Sequence, residues 1–297
     1  MPGRCPWVAA NGAWRVPLLH LFILAVVQGI TEFLPISSSG HLVLVWEAFD
    51  RLGQPVDRDA AHRLTLDIAV HVGTLLAVCA YFWRDVGGMG LGAVRLVTGR
   101  VTPNGRLFIY VVLATLPLLA AGFALKRTVA LDLRGFEIVA WTTFGFGLLL
   151  YLADRMGMMI RRVEHMGAGS ALAIGLAQVL ALIPGTSRAG ITMTAARFLG
   201  FERQEAARFS MLLAIPAILG AGTLAGLDLY ESGSLALQRG ALIAGALAFV
   251  AALVAIAALM QWLKRSSFTP FVIYRILLGL LLLALVYGPR FGGAAAF

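Results

Sequence analysis

The sequence has almost no cysteine. Its two cysteines, Cys5 and Cys79, lie far apart in a chain of 297 residues, a spacing that suits neither a disulfide framework nor a metal site. The five histidines are also too widely spread for a metal motif, although His41 and His71 could meet in the folded chain. The sequence therefore excludes a disulfide-stapled domain and a cysteine-ligated metal centre.

Charged residues are scarce as well. They make up 13% of the chain, against 60% hydrophobic residues, and the mean hydropathy is +0.86. Water-soluble domains of ordinary composition do not have these values, so the sequence predicts a polytopic membrane protein. The formal net charge of +9 does not indicate nucleic-acid binding, because the arginines form short clusters between apolar runs, as in membrane-protein loops.

The most unusual stretch is QGITEFLPISSSGH, residues 28–41, which interrupts an apolar run. Pro35 ends the helix predicted over 18–34, and the serines after it start a second helix over about 40–49. Both helices are short for a hydrocarbon core of about 30 Å, so they predict a re-entrant hairpin that is covered by protein or lines a water-filled cavity. The plain alternative is an amphipathic turn between apolar neighbours.

The same pattern recurs in AIGLAQVLALIPGTSRAGITMTAARFLG, residues 173–200. Aligning the prolines of the two stretches predicts a register for the residues that follow them. The aligned pairs are Pro184 with Pro35, Thr186 with Ser37, Ser187 with Ser38 and Arg188 with Ser39.

Six further spans are predicted, at about 66–83, 108–125 and 136–153 in the first half and 207–227, 240–263 and 271–287 in the second. Each half then has one broken-helix hairpin and three transmembrane helices. Because three is odd, the second half enters the membrane from the opposite side. The predicted fold class is an all-α polytopic membrane protein, one domain over 1–297, with inverted repeats at about 18–153 and 170–287.

Basic loops at 84–107 and 154–169, and the arginines that follow the second hairpin, suggest the orientation. We interpret 84–107 as a loop and Arg197, Arg203 and Arg208 as part of a solvated cytoplasmic turn. The difference in Lys and Arg between the two sides is small. It agrees with an outward-facing first hairpin and an inward-facing second one.

Glu32 is the most informative single residue. A carboxylate at membrane depth can hold a divalent cation or act as a general acid or base, whereas the structural alternative is pairing with a buried arginine. Gln28 lies four residues earlier, on the same helix face, and can assist it.

Small and hydroxyl residues follow both prolines, where helix N-termini offer free N–H groups to an anion. Plain N-capping is the alternative for each hydroxyl. The candidate phosphate-binding residues are Gln28, Ser37, Ser39, Gly40, Gly185, Thr186 and Ser187, with Ser38 as a candidate catalytic hydroxyl.

Arg188 strengthens the prediction of an anion site, because a guanidinium presents a fork that suits phosphate oxygens. Pairing with Glu32 is its alternative. His41 can be a nucleophile or a proton carrier. Asp67 and His71, four residues apart at the start of the next span, are candidates for a supporting layer around the cavity.

The stretches QGITEFLPISSSGHL and IPGTSRAGITMTAARFLG resemble the two signature motifs of the bacterial undecaprenyl-diphosphate phosphatase family, the integral-membrane group linked to bacitracin resistance. The segments LDIAVHVGTLLAVCAYFWRD and ARFSMLLAIPAILGAG are also similar, so the resemblance covers about residues 18–287. It implies an interdigitated inverted repeat with re-entrant helices, and an active site that faces the periplasm.

The resemblance also implies an activity. The expected reaction removes the terminal phosphate of undecaprenyl diphosphate and returns the monophosphate carrier lipid to cell-wall synthesis, with Mg²⁺ or Ca²⁺ as cofactor. The expected partners are the polyprenyl diphosphate and the bilayer, and a homodimer is a further hypothesis. The expected location is the bacterial inner membrane.

By resemblance, Glu32, Ser38, His41 and Arg188 are the catalytic set, and Glu32 with Gln28 is the metal-binding pair. Two departures weaken this assignment. Gln28 stands where many members have glutamate, which shifts cation binding to Glu32. His71 stands where some relatives have glutamine.

Two questions stay open at this point. Ser38, His41 or a water molecule can attack the phosphorus. A transporter or flippase for polyprenyl-phosphate lipids is the rival function, because inverted repeats around a midplane anion site are typical of transporters too. Transport of an anion needs positive charge but no nucleophile.

Overall fold

The computed structural model of the chain describes residues 18–51, 60–128, 135–157, 160–231 and 235–288. These residues are helical apart from turns, connecting segments and one isolated β-bridge. The α-helices are α1 (Leu18–Thr31), α2 (Ser38–Arg51), α3 (Ala60–Tyr81), α4 (Trp83–Val97), α5 (Pro103–Thr128), α6 (Phe136–Met156), α7 (Ala168–Gln178), α8 (Arg188–Phe198), α9 (Arg203–Glu231), α10 (Leu235–Leu263) and α11 (Thr269–Tyr287).

Five of the described helices, α3, α5, α6, α10 and α11, are long and apolar enough to cross a membrane. They confirm the spans predicted at 66–83, 108–125, 136–153, 240–263 and 271–287. The remaining predicted span, 207–227, lies within the 29-residue helix α9. The protein is therefore a multi-pass membrane protein by the length and composition of its helices.

Both interrupted helices are present. The first break, residues 32–37, separates α1 from α2, and the second break, residues 183–187, follows a short 3₁₀ turn at the end of α7 and precedes α8. α1 and α2 have 14 residues each, or about 21 Å at 1.5 Å per residue. Neither α1 nor α2 alone is long enough to cross a hydrocarbon core of about 30 Å.

Helices of the two halves interleave. α1 packs against α10, α7 packs against α5, and α3 packs against both α9 and α10. Glycine permits the first two contacts: a Cβ on Gly29 would lie 2.5 Å from Ala251 Cβ, and a Cβ on Gly175 would lie 2.5 Å from Ala114 O. The two breaks are thus held in one shared core.

The prediction of a loop over 84–107 is wrong for most of its length. Residues 83–97 form α4, which packs on the start of α5, and a Cβ on Gly92 would lie 2.4 Å from Gly105 N. Met89 and Gly92 are buried, while Arg84 and Arg95 lie on other faces of the helix. Close packing through glycine therefore stabilises a helix in a stretch whose four glycines are poor helix formers.

The prediction of a solvated turn around Arg197 is also wrong. Arg197 is fully buried, and its Nε donates to Asp154 Oδ1 at 3.2 Å. The same oxygen accepts from Arg203 Nε at 2.7 Å, and Asp154 Oδ2 accepts from Phe268 N at 3.2 Å. One buried carboxylate therefore joins the ends of α6, α8, α9 and α11. Sequence proximity to charged neighbours had suggested solvent instead.

Candidate active site

Each break ends on a serine with an unusual backbone. Ser37 has φ 74° and Ser187 has φ 71°, in the left-handed region that costs a non-glycine residue about 1–3 kcal/mol. Ser37 Oγ accepts from Gly40 N at 3.4 Å, and Ser187 Oγ accepts from Gly190 N at 3.0 Å. Both serines therefore cap the helix that follows them in a strained backbone conformation.

The shared backbone geometry corrects the predicted alignment. Ser37 corresponds to Ser187, and Ser38 therefore corresponds to Arg188, so the register that placed Ser187 on Ser38 is wrong by one residue. The second break has one more residue between its proline and its serine than the first. A proline marks where a helix stops, but the residue with positive φ marks where the next one starts.

Four side chains form what we call the Glu32 cluster: Gln28, Glu32, Ser38 and Arg188. Glu32 is 6% exposed. Its Oε1 accepts from Arg188 Nη2 at 2.6 Å, and its Oε2 accepts from Ser38 Oγ at 2.7 Å and from Gln28 Nε2 at 2.9 Å. The structure therefore brings together the first helix of one break and the second helices of both.

Arg188 has one further side-chain contact and one backbone contact. Its Nη1 donates to Ser210 O of α9 at 3.3 Å, and its backbone carbonyl accepts from Thr192 Oγ1 at 2.8 Å. The side chain is 14% exposed. The guanidinium is thus bound to Glu32 and to the backbone of α9. Pairing with Glu32 is observed, and the predicted binding of an anion stays a prediction.

His71 lies beside the Glu32 cluster, as predicted for a supporting residue. Its Nε2 is 3.7 Å from Glu32 Oε2, while its Nδ1 donates to Asp67 O at 2.5 Å. The Asp67 carboxylate turns toward α2, where Oδ1 accepts from Trp46 Nε1 at 2.9 Å. His71 therefore borders the cluster directly, and Asp67 orients it.

Arg275 of α11 contacts both breaks, and the sequence analysis did not identify it. It is fully buried, and no carboxylate of the described residues lies within ion-pair distance of it. Its guanidinium donates to Pro35 O of the first break at 3.2 Å, and to Thr186 O and Gly185 O of the second at 3.0 and 2.9 Å. Two more bonds reach carbonyls of α6, Thr143 O and Thr142 O.

Arg275 therefore clamps both breaks to one point of α11. The sequence did contain one indication of this residue, a single arginine inside the apolar stretch VIYRILLGLLLL. A charge at that depth needs either hydrogen-bond partners or a function. Its partners are backbone carbonyls from three distant segments, and no local pattern reveals these.

His41 is not part of the Glu32 cluster. Its Nδ1 donates to Ser37 O at 2.6 Å, and its Nε2 lies 2.6 Å from the Tyr274 hydroxyl of α11. The hydrogen bonds that the structure gives to His41 thus lead to the first break and to α11. Its predicted catalytic role stays a prediction.

The other predicted phosphate-binding residues line the breaks. Ser39 Oγ lies 3.4 Å from Ser37 Oγ, and Gly185, with φ 89°, packs so closely that a Cβ would lie 2.0 Å from Thr142 Oγ1. Thr186 is fully buried, and its Oγ1 has no hydrogen-bond partner in the described structure. The carbonyls of Gly185 and Thr186 therefore accept hydrogen bonds from Arg275. The Thr186 hydroxyl takes no part in these bonds.

The predicted cation would bind through oxygen atoms of the Glu32 cluster. Among the described residues, no three His, Cys, Asp or Glu side chains form a metal cluster. Glu32 supplies one carboxylate, and Gln28 Oε1 is a buried oxygen without a hydrogen-bond partner. This donor set fits Mg²⁺ or Ca²⁺, because both ions bind oxygen ligands. Proteins commonly hold Mg²⁺ with one or two carboxylates, together with water and substrate phosphate.

Comparison with known proteins gives a consistent result. The family model described as bacitracin resistance protein BacA matches residues 21–281. Undecaprenyl-diphosphatase 1 of Rhodospirillum rubrum is 53% identical over 274 residues, which are 92% of this chain and 96% of the relative. The undecaprenyl-diphosphatases of Roseobacter denitrificans and Jannaschia sp. are 47% and 46% identical, each over 91% of this chain and 99% of the relative.

Proposed function

The chain belongs to the bacitracin resistance protein BacA family, and we propose that it hydrolyses undecaprenyl diphosphate to undecaprenyl phosphate and inorganic phosphate. The relatives are named for this activity. The observation that carries the proposal is the Glu32 cluster, where a buried carboxylate joins a hydroxyl and a guanidinium. In a bacterium this reaction returns the carrier lipid to cell-wall synthesis.

Arg188 is the residue that receives the terminal phosphate. Without substrate, its charge is neutralised by Glu32 at 2.6 Å. A diphosphate carries more negative charge than one carboxylate and matches the guanidinium fork, so it competes for the same donors. When Arg188 turns toward the phosphate, Glu32 gives up this ion pair, and its carboxylate can accept the Ser38 proton.

Ser38 is the nucleophile that the geometry favours, because its hydroxyl already donates to Glu32 Oε2 at 2.7 Å. Ser38 Oγ forms a bond to the terminal phosphorus, and its proton passes to Glu32. The anhydride P–O bond breaks, and its electron pair leaves with undecaprenyl phosphate. Water then attacks the phosphorus of the phosphoserine, the Ser38 Oγ–P bond breaks, and Glu32 returns its proton to Ser38 Oγ. Both hydrogens of the attacking water leave with inorganic phosphate as H2PO4−.

Glu32 and Gln28 are the residues that would hold a divalent cation. When bound, such a cation neutralises phosphate oxygens and acts as a Lewis acid. The protein itself contributes the positive charge of Arg188 and a buried environment. Low local polarity strengthens each of these electrostatic contacts.

We also propose an inverted-topology repeat in the bacterial inner membrane, with the active site on the periplasmic side. Two observations support the repeat: Ser37 and Ser187 share a rare backbone conformation, and the α1–α10 contact has a counterpart in α7–α5. Each contact pairs the first helix of one break with the corresponding span of the other half.

Purified protein in detergent should release inorganic phosphate from farnesyl diphosphate, a shorter and more soluble polyprenyl diphosphate. We expect release with Mg²⁺ or Ca²⁺ and its loss on chelation, because the phosphate charge is otherwise not neutralised. A colorimetric phosphate assay measures the rate. Farnesyl monophosphate is the matched control, since it has the same tail without the anhydride bond, and it should yield none.

The transporter or flippase hypothesis predicts a different outcome. A transporter would move labelled polyprenyl phosphate across liposome membranes without releasing phosphate from farnesyl diphosphate. Absence of phosphate release with both cations would reject the enzymatic proposal. The comparisons name phosphatases, and the Ser38–Glu32 hydrogen bond supplies a nucleophile that transport does not need.

A further inference from the structure

His41 and Tyr274 form a pair that the mechanism above does not use. The Tyr274 hydroxyl lies 2.6 Å from His41 Nε2, and the two rings stack with centroids 5.7 Å apart and planes inclined by 14°. His41 belongs to α2 and Tyr274 to α11, so the pair joins the helix that follows the first break to the helix that carries Arg275.

The hydrogen-bond partners assign the protons. Ser37 O can only accept, so His41 Nδ1 must carry a hydrogen at this contact of 2.6 Å. In the neutral ring Nε2 is then an acceptor, and Tyr274 donates to it. The chain of donation runs from the Tyr274 hydroxyl through the imidazole to Ser37 O.

The series of hydrogen bonds from Tyr274 through His41 ends at Ser37, whose backbone is strained. Ser37 has φ 74° and directly precedes Ser38. Arg275, the next residue after Tyr274, donates to Pro35 O, two residues before Ser37. Two consecutive residues of α11 therefore reach carbonyls of the first break, Arg275 directly and Tyr274 through His41.

We propose that Tyr274 is a positioning residue that acts through His41 on the Ser37 backbone, and so keeps Ser38 aligned with Glu32. On this proposal His41 relays a hydrogen bond and is not the nucleophile, because its only lone-pair nitrogen is occupied by Tyr274. The inference rests on the proposed function. The inference extends that function by distinguishing Ser38, whose hydroxyl attacks the phosphorus, from the residues that position this hydroxyl.

Removing the Tyr274 hydroxyl should lower kcat and leave KM nearly unchanged. Tyr274→Phe keeps the stacked ring but loses one hydrogen bond, so we expect kcat for farnesyl diphosphate to fall about fivefold and KM to stay within about twofold. Tyr287→Phe removes the same atom from the same helix, where the hydroxyl contacts Glu137 instead. This control should keep the wild-type kcat.

Two further variants distinguish a relay from a nucleophile. His41→Gln can still accept from Tyr274 and donate to Ser37 O, so it should be at least about fivefold more active than His41→Ala. Adding Tyr274→Phe to His41→Ala should cause no further loss, since the relay is already gone. Equal loss in His41→Gln and His41→Ala, additive loss in the double variant, or an unchanged kcat in Tyr274→Phe would each overturn the proposal.

A measurement without turnover tests the pair separately from the proposed function. Nitrogen NMR of ¹⁵N-histidine-labelled wild-type protein, with His41 assigned through His41→Gln, should show a protonated Nδ1 and an acceptor Nε2. The opposite tautomer would contradict the relay even if phosphate release is normal. Because it uses the wild-type protein, this measurement tests the His41–Tyr274 hydrogen bond even if Tyr274→Phe does not fold. A protein without phosphatase activity can still show the expected tautomer.

Discussion

Replacing Glu32 by glutamine should reduce kcat for phosphate release about a thousandfold, within the range of a lost general base. Glutamine keeps the volume and can still accept from Ser38, but it cannot take up the proton. KM should stay the same or fall, because Arg188 no longer has a competing carboxylate at 2.6 Å. Steady-state kinetics with farnesyl diphosphate would measure both constants.

The matched control for this change is Glu202→Gln. Glu202 is an exposed carboxylate that accepts from Arg162 at 3.1 Å and lies outside the site, so the variant should have the wild-type kcat. A Glu32→Gln protein that melts at the wild-type temperature and retains more than about a tenth of kcat would exclude Glu32 as the base.

Replacing Arg188 by alanine should have two separable effects. Activity should fall about a thousandfold, as expected when a preorganised donor to a charged phosphate is removed. The free energy of unfolding should fall by about 3–5 kcal/mol, because Glu32 is then a buried charge without its partner. Arg188→Lys keeps the charge but loses the fork, so its activity should be intermediate.

A double variant separates stability from catalysis. Adding Glu32→Gln to Arg188→Ala removes the unpaired charge, so unfolding stability should recover in part while activity stays absent. Arg162→Ala is the control, since its pair with Glu202 is exposed and should contribute little. Full activity in Arg188→Ala would contradict the assignment of Arg188 to the phosphate.

Local patterns in the sequence predicted the parts of the site that are close in the chain. Gln28 and Glu32 are four residues apart, and they share a helix face and a hydrogen bond of 2.9 Å. Ser38 follows the proline break and lies within reach of Glu32. Pairing of a lone arginine with a lone carboxylate at depth is favoured by charge, and Arg188 with Glu32 follows that rule.

Residues that act across the fold could not be predicted in this way. Arg275 and Arg197 are both buried, but their partners are backbone carbonyls and a carboxylate brought together by packing of distant helices. Arg275 stands alone in an apolar helix and clamps the two breaks, whereas Arg197 has charged neighbours in the sequence and joins the ends of helices. Only the packing of the helices reveals these two roles.

Glycine has different structural roles in two segments: it permits close helix packing in one and a turn in the other. The segment 84–107 was predicted to be a loop because of its arginines, yet Gly92 in GGMGLG, residues 87–92, lets α4 approach α5 within a helix. In the second break, glycine supplied a real turn, because Gly185 has φ 89°. That extra turn residue is also why the predicted alignment of the two breaks was wrong by one position.

The central claim is that Glu32 activates Ser38 for attack on the terminal phosphate. Rapid quenching of the protein with farnesyl diphosphate labelled with ³²P at the terminal phosphorus tests it most directly, followed by mapping of the labelled peptide. The account predicts acid-stable label on Ser38 that appears before free phosphate and is absent in Ser38→Ala. Acid-labile label on His41, or oxygen from labelled water entering phosphate in a first turnover without any labelled protein, would contradict it.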